Sequence, residues 1–413
     1  MQIVPRQPDR KATGLCVACL IAFATSQIAH ADGFLSQFVD PEDGHFDASS
    51  YLAENAYGFL PVPIIITDPA VDDGLGVVGL VFHETDEQQS QRREALRNSD
   101  GGVEHLLTPS VSAIGGAVTG NDSWFAGGGH MGFFRQGRIR YSGGAGYGTV
   151  NLDFFGFGGV RLTRPIELKT KAAAIVQNLK FKLGELPIFI GPTQRYVSAQ
   201  ISPMNLGDLS GDFLPPELQE RWQALVTERL TQDAVTSGVG ISLEFDSRDN
   251  FFSPHSGYHY KVDYLWYRDA FGSDFDYQLA SFSGRNHWKV TDSFRAALRL
   301  DLEHADTANL LPPFATPSIN LRGVPSARYQ GNSVAVTEAE VTWQINQRWS
   351  LLGFAGAGRA GNSFDDLKDG QTRVAKGAGF RYLIARRYGF EMGLDIAVGP
   401  EDTVVYVQAG SAW

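Results

Sequence analysis

Residues 239–248 of the chain are VGISLEFDSR. Val239, Ile241, Leu243 and Phe245 fall on one face of an extended chain, with Gly240, Ser242, Glu244, Asp246 and Arg248 on the other, the period of two that a strand between unlike environments requires. Residues 294–303, FRAALRLDLE, repeat it: Phe294, Ala296, Leu298, Leu300 and Leu302 stand opposite Arg295, Arg299, Asp301 and Glu303. A soluble sandwich also alternates, with its apolar face inward. Length separates the two: these runs last about 10–14 residues, against roughly 5–6 for an ordinary strand, and cover the roughly 9–11 needed to cross a bilayer at a tilt.

Tyr258, Tyr260, Tyr264 and Trp266 share one face of the following run, as suits a membrane interface. Sixteen such segments follow one another from 62–67 to 402–413, an even number, as a bacterial barrel requires. The expected class is therefore all-β, a transmembrane antiparallel β-barrel of 16 strands. With a periplasmic N-terminus, the connections 183–187, 248–256, 290–294, 346–349 and 384–388 are short and periplasmic, whereas 150–165, 203–234 and 305–334 are long and external. Residues 85–105 break the rule as a long polar periplasmic excursion, either a small helix or a sign that the first two strands are misplaced. Residues 213–230, FLPPELQERWQALVTERL, read as a surface helix, either a lid over the barrel mouth or a loop element packed on its neighbours.

The chain begins with Arg6, Arg10 and Lys11 ahead of an apolar run near 14–24, and Ala29-His30-Ala31 offers a small-x-small cleavage site. Residues 1–31 are thus a signal peptide, 32–59 a short periplasmic segment and 60–413 the barrel. The apolar run is too short for a spanning helix, which needs about 20 residues, and Cys16 and Cys19 both lie in the cleaved segment. No disulfide or thiolate metal site is expected. The chain carries net −11; removing Arg6, Arg10, Lys11 and Asp9 takes away +2 and leaves −13, an acidic balance that speaks against nucleic acid.

Leu321-Arg322-Gly323-Val324 lies between the eleventh and twelfth strands, followed by ARYQGNSVAVTEAEVTW. This resembles the BamA/TamA family of outer-membrane assembly barrels, whose sixth external loop carries a (V/I/L)-R-G-(F/Y) motif and leads into a strand with an inward glutamate. The resemblance implies that the loop folds into the lumen and that Arg322 pairs with Glu340, which alternation turns inward. The family's F-x-D-x-G pattern meets Phe354-Ala355-Gly356-Ala357-Gly358 here, with Gly356 in place of the aspartate. Asp246, Arg248, Asp249 and Gly257 match a strand end and structural turn. The ending VVYVQAGSAW places Val405, Val407 and Trp413 on one face, as a signal for insertion by the outer-membrane assembly machinery. About 28 residues separate Asp32 from Leu60, too few for one of the family's periplasmic POTRA domains, so the resemblance is to the barrel domain only.

Two functions stand at this point. One is assistance to the assembly or translocation of outer-membrane proteins or lipid in the bacterial cell outer membrane, with unfolded outer-membrane proteins as clients and lipid as surroundings; Pro61 and Pro63 either weaken the seam of the barrel or merely start its first strand. The other is a passive diffusion pore or structural surface barrel, lined by Glu244, Asp246, Lys261, Asp263, Arg295, Arg299 and Asp301. No cofactor, metal or catalytic residue is expected: there is no G-x-S-x-G, no P-loop, and His83-Glu84 lacks the second histidine of H-E-x-x-H. A Ser-His site built from separate strands leaves no local motif and stays open as a minor alternative.

Overall fold

In a computed structural model the chain forms one antiparallel sheet of sixteen strands, each laddered to the next in sequence order. The structure describes residues 38–49, 51, 58–67, 70–83, 110–157, 160–204 and 232–413, with backbone alone over 58–59, 153–157, 160–166, 232 and 387. The expected signal peptide over 1–31, the expected excursion over 85–105 and the expected surface helix over 213–230 lie outside the described residues.

The first eight strands are β1 (Gly58–Ile66), β2 (Gly74–His83), β3 (Ser110–Thr119), β4 (Trp124–Phe134), β5 (Ile139–Phe157), β6 (Val160–Lys182), β7 (Ile188–Pro203) and β8 (Gln232–Asp246). The rest are β9 (Gly257–Tyr267), β10 (Tyr277–Lys289), β11 (Phe294–Asp306), β12 (Ser333–Gln344), β13 (Trp349–Gly361), β14 (Arg373–Ala385), β15 (Phe390–Val398) and β16 (Thr403–Ala409). The external connection expected at 150–165 is mostly strand: β5 and β6 remain paired to Phe157 and Val160, because residues 151–165 carry no turn cluster before Gly158-Gly159.

The alternation sorts the side chains as expected. Ile241, Leu243, Leu298, Leu300, Val341 and Trp343 are exposed on the outer face, while Ser242, Glu244, Arg299 and Glu338 between them are buried toward the lumen. Ladders satisfy the backbone groups that hydrocarbon cannot. The exception is the junction of first and last strands. Among the described residues no ladder joins β1 to β16; Thr67 Oγ1 instead donates to Val405 O and accepts from Val405 N at 2.9 Å. Pro61 and Pro63 sit inside β1, exposed on its outer face, and do not merely start it.

At the short-turn end, the periplasmic side by the usual barrel arrangement, the lumen is filled by Leu60, Val62, Phe82, Val111, Tyr388 and Phe390. Phe252, from the β8–β9 turn, packs edge-on against Phe82 and Phe390.

Candidate functional site

The loop between β11 and β12 folds back into the lumen and lays Arg322 against the wall formed by β12–β15. Its guanidinium donates from Nε to Glu338 Oε1 at 2.7 Å, from Nη1 to Asp395 Oδ2 at 2.7 Å, and from Nη2 to Glu340 Oε2 at 2.9 Å and to Glu338 Oε1. Its face lies 3.5 Å from the Phe354 ring centroid. Arg322 is 7% exposed, Glu338 1% and Asp395 0%, so these charges are withdrawn from water and depend on one another. Arg381 of β14 holds the far side of Asp395, with Nη2 3.0 Å from Oδ2.

Glu340 was the carboxylate expected from the sequence, and it is present. The larger share falls to Glu338, two residues earlier on the same inward face, and to Asp395, 73 residues from Arg322 on β15. No aspartate is needed at position 356. A Cβ there would lie 2.5 Å from Leu321 Cδ1 and 2.8 Å from the Thr337 carbonyl, so Gly356 provides the space in which Leu321 packs on the β13 backbone. Ile319 uses Gly358 in the same way. Ile319, Leu321 and Val324 form a buried cluster with Val334, Val336 and Ala375. Gly323 adopts φ +86, donates its N–H to the Tyr406 hydroxyl at 2.9 Å, and presses against Gly399 where β15 ends. Beyond the barrel rim Arg328 pairs with Glu401 at 2.9 Å. Burial acts to raise the Glu401 pKa, but hydrogen bonds from Arg328 and Tyr329 outweigh it and hold the carboxyl below its ordinary value.

Asp246, Arg248, Asp249 and Gly257 meet in the β8–β9 turn. Asp246 pairs with Arg248 at 2.8 Å, Asp249 accepts from the backbone N–H groups of Asn250, His255 and Ser256, and Gly257 adopts φ +108. Asp246 also faces Arg140 at 2.7 Å, within a wall network in which Arg140 and Lys180 reach Glu244. Glu244, Asp246 and His259 stand close enough to share an ion. With Arg140, Lys180 and Arg248 already on these carboxylates, their charge is met by protein.

The ending differs from expectation. Val405 and Val407 alternate with the inward Tyr406 and so face outward, but β16 stops at Ala409. Gly410 takes φ +80 and the following residues turn into the lumen, Ser411 donating to Phe252 O at 2.7 Å. Trp413 Nε1 donates to Glu338 Oε1 at 2.7 Å, so it does not share a face with Val405 and Val407. The glycine breaks the strand, and the indole N–H finds a buried carboxylate.

A second buried arginine has no counterpart in the sequence reading. Arg348, in the β12–β13 turn, is 3% exposed and is ringed by Asp40, Asp43 at 2.6 Å and Asp47 at 2.6 Å, all from the segment before β1. That segment is a knuckle closed by the Val39–Phe46 bridge, with Gly44 at φ +70. It is tied to β14 by Ala48 N–H to Ile384 O at 2.7 Å and by Tyr382 Oη to Phe46 O at 2.8 Å. Arg386, in the β14–β15 turn, reaches Asp40 and Glu42. Burial alone would lower the Arg348 pKa and raise that of Asp43; their mutual pairing overcomes both effects. The spacing of Asp40, Asp43 and Asp47 was the available signal.

The architecture has solved counterparts. BamA from Haemophilus ducreyi lacking POTRA domains 1–3 superposes with TM-score 0.50 at 10% identity, over 94% of this chain and 83% of that one. CdiB from Acinetobacter baumannii and CdiB from Escherichia coli give 0.52 and 0.53 at 10% and 11% identity, over 85% and 84% of this chain. The chain spans 59% and 61% of those two proteins. No family model matches the sequence, and no curated protein matches it. What is shared at such identity is the fold, the sixteen-stranded antiparallel barrel of outer-membrane proteins.

Proposed function

We propose that this chain is a BamA/TamA-type barrel of the bacterial outer membrane that assists the assembly or translocation of outer-membrane proteins or lipid, with its lumen closed by the β11–β12 loop. The observation that carries this reading is the Arg322 clamp: one loop arginine holding three carboxylates from β12 and β15 inside the barrel. A loop locked in the lumen obstructs passive flow, which weighs against an open diffusion pore. The β1–β16 junction, with side-chain bonds and no ladder, supports it, since an unpaired edge can accept another strand. On this reading the chain is itself inserted by the outer-membrane assembly machinery, is surrounded by lipid, receives unfolded outer-membrane proteins as clients, and does this work without catalysis.

The test is single-channel conductance of the refolded protein in planar bilayers, beside Arg322→Ala and a deletion of residues 313–330. Nearly closed wild type with large, unstable currents in both variants is expected. A parallel measurement follows the folding rate of a small eight-stranded barrel into liposomes with and without the protein, and acceleration is expected. Steady wild-type conductance insensitive to both changes, with no acceleration, makes a diffusion pore the better account.

A further inference from the structure

The outer face of β2–β4 carries a cluster that the assembly reading does not use. Ser112 Oγ lies 2.9 Å from His83 Nε2 and 2.9 Å from His130 Nδ1. The three residues alternate with Phe82, Val111 and Met131, which face the lumen, and share their face with the exposed Leu75, Val77 and Ile114. Two imidazoles and a hydroxyl therefore sit on a mostly apolar wall, with Tyr141 beside the His130 ring and its hydroxyl leading to the Gln177–Gln194 pair of β6 and β7; ionisable groups at such a place are costly and mark function.

A serine hydroxyl has one proton, so with both rings bonded to Oγ one accepts that proton and the other donates an N–H. That is a nucleophile with its base in hydrogen-bond reach and a second group fixing its orientation. Position supplies the substrate class. His83 is the last residue of β2 and Ser112 the third of β3, so the cluster lies just inside the short-turn end. In a bilayer crossed by these strands, side chains just inside a strand end stand near the boundary between headgroups and hydrocarbon, where phospholipid ester carbonyls lie.

From His130 toward the other rim, β4 presents only Gly128 and Ala126 on this face, between Ile114 of β3 and Ala145 of β5. The channel they floor ends at the Trp124–Tyr147 edge contact, 5.7 Å between centroids. Six residues at about 3.3 Å each give roughly 20 Å, the reach of a long acyl chain.

The geometry points to a lipid-facing acyl-ester hydrolase site, with Ser112 as nucleophile, His83 as base, His130 as N–H donor, and a glycerophospholipid as substrate. Ser112 Oγ attacks the ester carbonyl while its proton passes to His83 Nε2. The tetrahedral intermediate, its oxyanion beside His130, collapses with cleavage of the bond to the lysophospholipid oxygen, which takes the proton. Water, deprotonated by His83, then attacks the acyl-serine, releasing fatty acid and restoring Ser112. No local motif could announce the site, because its members come from three strands. The inference rests on the membrane placement of the outer face and not on the assembly role.

The experiment treats refolded full-length protein with a fluorophosphonate probe and, separately, with phosphatidylethanolamine in mixed detergent micelles. A covalent adduct on the Ser112 peptide and release of fatty acid are expected. Ser112→Ala abolishes both, and His83→Ala lowers release at least about a hundredfold. Heat-modifiable gel migration reports folding for every variant. Folded wild type that gains no adduct at Ser112, or release undiminished in Ser112→Ala, overturns the proposal. Neither assay includes a client protein, so failure here leaves the client-folding result standing.

Discussion

At Arg322 a single side chain holds a loop against three strands, and each of its contacts has a separate cost. Removing one partner of a buried pair leaves the other charge uncompensated, a loss of roughly 3–5 kcal/mol in comparable sites. Glu338→Ala is therefore expected to release the loop more than Glu340→Ala, because Glu338 is 1% exposed and also receives the Trp413 indole. Protease sensitivity of residues 313–330 orders the two, and equal sensitivity would contradict the assignment. Gly356→Asp, which restores the resembled family's pattern, is expected to loosen the loop too. Its Cβ would strike Leu321 and the Thr337 carbonyl before its carboxylate could help. Gly323→Ala is expected to cost about 1–2 kcal/mol for the left-handed backbone alone, read from the same proteolysis.

Among the elements, the knuckle before β1 is the one whose attachment is mostly ionic. Hydrogen bonding and charge from Arg386 hold the Glu42 pKa below its ordinary value. Asp43 is also held low, with the Arg348 bonds outweighing its burial. A carboxyl with a depressed folded-state pKa stabilises docking above its unfolded value, and that contribution fades as pH falls through the folded one. Docking is thus expected to be complete at neutral pH and to weaken below the ordinary carboxylate range, near pH 4. Arg348→Gln should release the knuckle at pH 7. Proteolysis between residues 38 and 49, followed against pH, checks both, and a pH-independent wild type would refute the ionic account.

For the whole molecule, ladders join every consecutive pair of strands across fifteen junctions, and among the described residues none joins β1 to β16. Amides on the unpaired edges of β1 and β16 are expected to exchange faster than those of β12 and β13, whose neighbours protect both sides. Hydrogen exchange resolved by peptide measures this directly. Equal protection would mean that the seam is zipped, and lateral strand acceptance would then lose its structural basis.

The class of fold was legible in the residues alone, because alternation is a local property that sixteen segments repeat, and their length matches the bilayer span. So were Arg322 and Glu340, which lie close in sequence to the Leu321-Arg322-Gly323-Val324 motif. Glu338 could have been read from the same inward face. Only the tertiary structure brought Asp395 to Arg322 and Asp40, Asp43 and Asp47 to Arg348, since these partners are separated by 73 and by about 300 residues. It alone turned Trp413 inward, through a backbone reversal at Gly410 that alternation cannot register. Period two tells a side chain which face to occupy; closing the sheet decides which other side chains it meets there.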